Sequence, residues 1–141
     1  MSQIELAGFP TNQWADSSTA SNLRSVELSL LSSLRFDPAN RVANQRLGMI
    51  SMFREDFASA VGYLETAHAQ APKHRGIIKS LGYCYVWLGD TEKAQALLSQ
   101  IPEARDELDV YVWWWGMQGR IDLSKNAKIA LDVLKLTPPK P

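Results

Sequence analysis

The stretch Ile78-Lys79-Ser80-Leu81-Gly82-Tyr83-Cys84-Tyr85, followed by Ala94-Gln95-Ala96-Leu97-Leu98, decides how the chain is read. One apolar segment carries a glycine behind a leucine. The next carries a small residue four places before a leucine. The same arrangement occurs earlier, as Leu47-Gly48, then Ala60-x3-Leu64, then Pro72. Leu47, Leu81 and Trp115 stand 34 residues apart, each followed by glycine. A fixed interval of about 20–50 residues marks a repeat architecture, in which each unit buries its apolar face only against its neighbours.

A glycine inside a helical segment costs up to about 1 kcal/mol relative to alanine. Its recurrence at Gly48 and Gly82 therefore points to a close approach by the second helix of an antiparallel pair. Ala60 and Ala94 are the expected matching small surface, with Leu47, Leu64, Leu81 and Leu98 filling the space between successive pairs. Arg54-Glu55-Asp56 and Leu88-Gly89-Asp90 occupy equivalent turns. Asp56 and Asp90 suit the N-cap, where a carboxylate accepts backbone N–H bonds. Gly89 suits the left-handed residue that ends many helices. Pro72 turns Ala71 away from helical geometry.

This pattern, Ile78-x2-Leu81-Gly82-x2-Tyr85 with Ala94-x3-Leu98, resembles the tetratricopeptide repeat (TPR) family. The resemblance implies an all-α fold: a right-handed superhelix of antiparallel helix pairs, about three and a half repeats long. Residues 1–20 are expected to be irregular, with Trp14 where the interval calls for glycine. A half repeat covers 21–40, with a helix over 22–36 capped by Ser21. Full repeats cover 41–74 (helices 41–53 and 57–70), 75–102 (75–88 and 91–100) and 103–136 (103–118 and 123–136). Pro102 shortens the third pair, since proline is excluded from a helix interior. In the last pair Ala127-x3-Leu131 comes one residue early, which predicts a turn shorter by one residue. The tail 137–141 is proline-rich and expected to be disordered.

The chain has 141 residues, the length of one domain, and 45% of them are hydrophobic, enough for a core. Fifteen basic and fifteen acidic side chains cancel, which argues against a nucleic-acid surface. Arg24, Arg35, Arg41, Arg46 and Arg54 bias the first half positive, while Glu103, Asp106, Glu107 and Asp109 bias a later segment negative. That acidic cluster reads as a solvated helix start matched to the helix dipole. The single cysteine, Cys84, excludes an internal disulfide framework and reads as a small buried hydrophobe. No signal peptide and no apolar run of about 18 residues is found, so membrane insertion by this chain is not expected. His68 and His74 are the only histidines, and neither has metal-ligand spacing to a partner. With no phosphate loop or nucleophile motif either, no catalytic residue, metal or cofactor is expected. The sequence assigns no compartment.

The run Trp113-Trp114-Trp115 is the sharpest functional signal. Neighbouring helix residues point about 100° apart, so three in a row cannot share one core-facing stripe. The 34-residue interval places Trp115 with Leu47 and Leu81, inside. It places Trp113 and Trp114 with Gln45, Arg46, Lys79 and Ser80, on what the TPR resemblance makes the inner, partner-facing surface. Either the two rings are covered by Leu123, the last helix or the N-terminal segment, or they are exposed anchors for a partner. The expected partner-binding residues are Arg46, Met49, Lys79, Tyr83, Trp87, Trp113, Trp114 and Met117. Arg46 and Lys79 would fix acidic groups of the partner. Met49 and Tyr83 stand where the chaperone-binding TPRs carry asparagines, so a carboxylate clamp is not expected.

The first expectation is a non-enzymatic module that binds a peptide or partner helix. A second comes from the stretch from Asn40 to about Gly119, which is similar to the soluble C-terminal TPR regions of bacterial O-antigen ligase or polymerase-like membrane proteins. That resemblance implies a domain of a larger glycan-assembly protein. A third is self-association into a homodimer through exposed aromatic ends.

Overall fold

A computed structural model describes residues 17–136, with side chains from residue 22. The expectations for residues 1–16, Trp14 among them, and for the tail 137–141 fall outside the described residues. Among these residues the chain forms seven α-helices and no strand: α1 (Ser17–Phe36), α2 (Arg41–Phe53), α3 (Phe57–Gln70), α4 (Arg75–Leu88), α5 (Thr91–Leu98), α6 (Ala104–Met117) and α7 (Ile121–Lys135). The fold is an all-α helical repeat. α1 begins at Ser17, so residues 17–20 are helical and Ser21 lies inside the helix instead of capping it.

The two expected aspartate caps are present. Asp56 and Asp90 accept from the backbone N–H groups of Ser59 and Lys93, each at 3.2 Å. α5 ends at Leu98, two residues before the expected limit. There the backbone tightens, with Gln100 N bonded to Leu97 O at 3.1 Å and Ile101 N to Leu98 O at 3.0 Å. That tight turn swings Ile101 into the core ahead of Pro102.

The chain divides into two compact units, residues 1–77 and 78–141. In the first, α2 packs on both α1 and α3. Buried Asn44 donates its amide to the carbonyl oxygens of Pro38 and Asn40, at 3.0 and 2.9 Å. Arg54 reaches back to Glu27 on α1 at 2.7 Å. In the second unit, α4 pairs with α5 and α7 packs on both α5 and α6.

The close approach at the two glycines is made by leucine side chains. A Cβ on Gly48 would lie 2.6 Å from Leu64 Cγ, and one on Gly82 would lie 2.6 Å from Leu98 Cδ2. Leu64 and Leu98, expected between hairpins, therefore lie within them, each over its own glycine. Both are fully buried, a contribution of roughly 1.5–3 kcal/mol apiece.

Trp115-Gly116 keeps the 34-residue interval in sequence and breaks it in space. Each hairpin turn carries the same motif: a positive-φ residue, then a residue whose N–H bonds five positions back. The positive-φ residues are Glu55 (60°), Gly89 (83°) and Gly119 (76°). The following bonds are Asp56 N to Ser51 O, Asp90 N to Tyr85 O and Arg120 N to Trp115 O. Glu55 and Gly89 are 34 residues apart, but Gly89 and Gly119 only 30. The last pair is thus four residues shorter ahead of its turn, not one residue shorter within it. In this frame Val112 replaces Gly82, and Ser124 replaces Ala94. The Ser124 hydroxyl donates to Val112 O at 2.7 Å and closes that hairpin. Gly116 is exposed, and a Cβ there would meet Ser124 Oγ at an ordinary 3.7 Å.

Gly82→Ala is expected to destabilise the protein by about 1–3 kcal/mol, because Leu98 has no room to yield. Gly116→Ala is expected to be neutral or to stabilise by up to about 1 kcal/mol. Urea unfolding of both variants checks the contrast, and equal losses would overturn the assignment of roles.

Candidate interaction surface

The tryptophan run divides as helix geometry requires. Trp115 is buried, Trp114 is half-buried, and Trp113 is 63% exposed. By the turn frame, Trp113 is the counterpart of Tyr83 and Met117 that of Trp87. Val110, Trp113 and Met117 fall on one stripe of α6, at 49%, 63% and 66% exposure. Asp106 and Asp109 are exposed beside its N-terminal end.

The supporting layer is aromatic. Tyr83 and Trp87, one turn apart on α4, stack at 6.0 Å with 14° between planes. Tyr111 meets both edge-on, at 5.2 and 5.1 Å, and Trp115 meets Trp87 at 5.8 Å. Such offset and edge contacts add roughly 0.5–1.5 kcal/mol each beyond burial. Asn126 on α7 donates to Trp87 O at 3.0 Å and ties off the end of α4. Tyr83 and Trp87 were expected on the partner-facing strip. They are core residues instead, because Tyr111 and Trp115 close over them.

A polar network borders this layer. The Tyr83 hydroxyl donates to Glu107 Oε1 at 2.6 Å. Lys79 Nζ donates to Glu107 Oε2 at 2.8 Å and to Glu103 Oε2 at 3.4 Å. Lys79 is therefore committed to two carboxylates of its own chain, which corrects the expectation that it holds acidic groups of a partner. Glu107 and Glu103 are likewise more than a solvated helix start. Glu103 precedes α6 without a side-chain cap bond, its carboxylate being drawn to Lys79.

Burial, with the Glu107 carboxylate as the next cause, raises the Tyr83 phenol well above its ordinary value near 10. Burial and the same carboxylate raise Tyr111. Burial alone pushes the Cys84 thiol up to about 12.

Arg46 is exposed and Met49 half-buried on α2, in the first unit. His74 Nδ1 accepts from Ile77 N at 3.3 Å at the start of α4, a structural role. Among the described residues no three His, Cys, Asp or Glu side chains stand together as a metal site would require. No helix among them is long and apolar enough to cross a membrane. The sequence reading did not single out Val110, Tyr111 or Glu107 as part of this site. Val110 was findable, three residues before Trp113 on the same helical stripe.

Residues 54–113 match the family model described as tetratricopeptide repeat. The match runs from the end of α2 to Trp113 and supports the TPR resemblance over that stretch. No curated protein matches the chain, so the likeness to O-antigen ligase-like proteins gains no support.

Cys84 is expected to react slowly with Ellman's reagent at about pH 8 in the folded protein and rapidly in urea, since only thiolate attacks. Rapid labelling without urea would contradict its burial. The raised tyrosines predict alkaline instability. Their stabilising contribution is complete below the unfolded value near 10 and is lost as pH rises beyond it, because the unfolded chain releases these protons first. Thermal unfolding across that range should show a falling Tm, and Tyr83→Phe should flatten the fall.

Proposed function

We propose that the chain is a non-enzymatic protein-interaction module, and that its second unit receives a partner segment on the α6 stripe of Val110, Trp113 and Met117. The tetratricopeptide match suggests a protein-interaction role. The observation that carries the site is the exposure of Trp113 and Met117, one turn apart. A tryptophan left largely in water adds little to folding, yet tryptophan is favoured among binding hot spots. Half-buried Trp114 borders the stripe, and on the opposite side of α6 Tyr111 and Trp115 pack against Tyr83 and Trp87, which fixes the helix that carries it. Rigid support lowers the ordering cost of binding. For the first unit taken by itself, Arg46 and Met49 on α2 are proposed as partner contacts, from a helix equivalent to α4 in the repeat.

The test is a random peptide library displayed on phage and panned against the protein. Selected peptides should bind the Trp113→Ala/Met117→Ala variant at least about tenfold more weakly, the loss of one hot spot. Thermal stability should change little, within about 0.5 kcal/mol for exposed positions. Equal affinity for both proteins would remove this face from the site.

A further inference from the structure

We infer that the α6 face selects a basic partner segment: a large apolar side chain against Trp113 and Met117, followed by lysine or arginine against Asp106 and Asp109. This inference rests on the docking site proposed above and adds the chemistry of what docks there. It concerns the second unit alone.

The charges decide the partner. α6 carries Asp106, Glu107 and Asp109 in close succession behind Glu103. Two of these four carboxylates are already matched, since Lys79 binds Glu103 and Glu107. Arg105, the cation inside the cluster, donates Nε to Leu134 O at 3.1 Å and is part-buried against α7. Among the described residues no ion pair engages Asp106 or Asp109, and both are exposed. The helix dipole accounts for an acid at Asp106, in the first turn. It does not account for Asp109, because the effect fades beyond that turn. Lys79 is the α4 counterpart of Asp109 in the turn frame, so the sign of this position reverses between the two helices.

Geometry sets the spacing. Asp106 and Trp113 are seven residues apart on one stripe, about 10 Å along the axis. An extended peptide covers that in roughly three residues. A segment with its cations on one side of the apolar anchor meets both halves of the stripe. A second copy of the chain meeting through this same face would bring no cation to Asp106 and Asp109, because these two are the charges the stripe itself carries.

Panning against the intact chain, with Asp106→Asn/Asp109→Asn as a second protein, tests the inference. Enriched peptides are expected to carry Lys or Arg beside a large apolar residue. By fluorescence anisotropy at low salt they should lose about tenfold in affinity for the Asn variant, and the difference should shrink as salt is raised. Circular dichroism of the variant should match the parent. Peptides that require Trp113 and Met117 but are neutral or acidic, or ignore the Asn variant, overturn the basic-partner inference and leave the docking site standing. Peptides that ignore Trp113→Ala/Met117→Ala, or none enriching at all, overturn both. Concentration-dependent dimers in light scattering, abolished by the same substitutions, would identify the occupant as a second copy and also overturn it.

Discussion

The packing of the second unit depends on one close contact, Leu98 against the bare backbone of Gly82. Leu98 sits where a methyl group would otherwise stand, so α5 comes within side-chain reach of the α4 backbone. α5 has only eight residues and little helical stability of its own. Asp90 starts it, Leu98 anchors its last turn, and Ile101 follows into the core. The first unit repeats the contact with Leu64 over Gly48. The last pair, α6 and α7, replaces it with a hydroxyl-to-carbonyl bond from Ser124 to Val112, which draws two helices together without needing a glycine.

With α4 held in this way, its remaining face carries Tyr83 and Trp87, and α6 covers them with Tyr111 and Trp115. Covering them buries the phenol groups of Tyr83 and Tyr111, and Glu107 supplies the Tyr83 hydroxyl with its partner. A carboxylate at the edge of a core is costly unless paired, and Lys79 pairs it. One network thus accounts for the Tyr83 hydroxyl, the Lys79 charge and two of the four acids Glu103, Asp106, Glu107 and Asp109. What it leaves outward is a short apolar stripe ending in Asp106 and Asp109.

Much of the fold was legible because its signals are local. α2, α3 and α4 begin and end where hydrophobic spacing, Asp56, Asp90, Gly89 and Pro72 indicated. The third turn was misread because Trp115-Gly116 falls on the 34-residue interval by composition alone. The better marker was Gly119-Arg120 beside Gly89-Asp90, since the positive-φ turn is shared by every pair. Lys79 was misjudged for a different reason. Its partners are 24 and 28 residues away, and no local rule specifies that Glu103 and Glu107 point toward it.

By itself the sequence determined the helical repeat, its caps, the buried Leu47, Leu81 and Trp115, and the divergence of the tryptophan run. Each follows from backbone geometry and side-chain size within a few residues. Only the tertiary structure decided which aromatic rings are core and which are surface. Tyr83 and Trp113 are both aromatic residues at equivalent places in successive helix pairs, yet one is sealed and the other 63% exposed. The difference is that α6 lies over α4's aromatic face and carries Glu107 to satisfy the sealed hydroxyl, a long-range arrangement that helical periodicity does not encode.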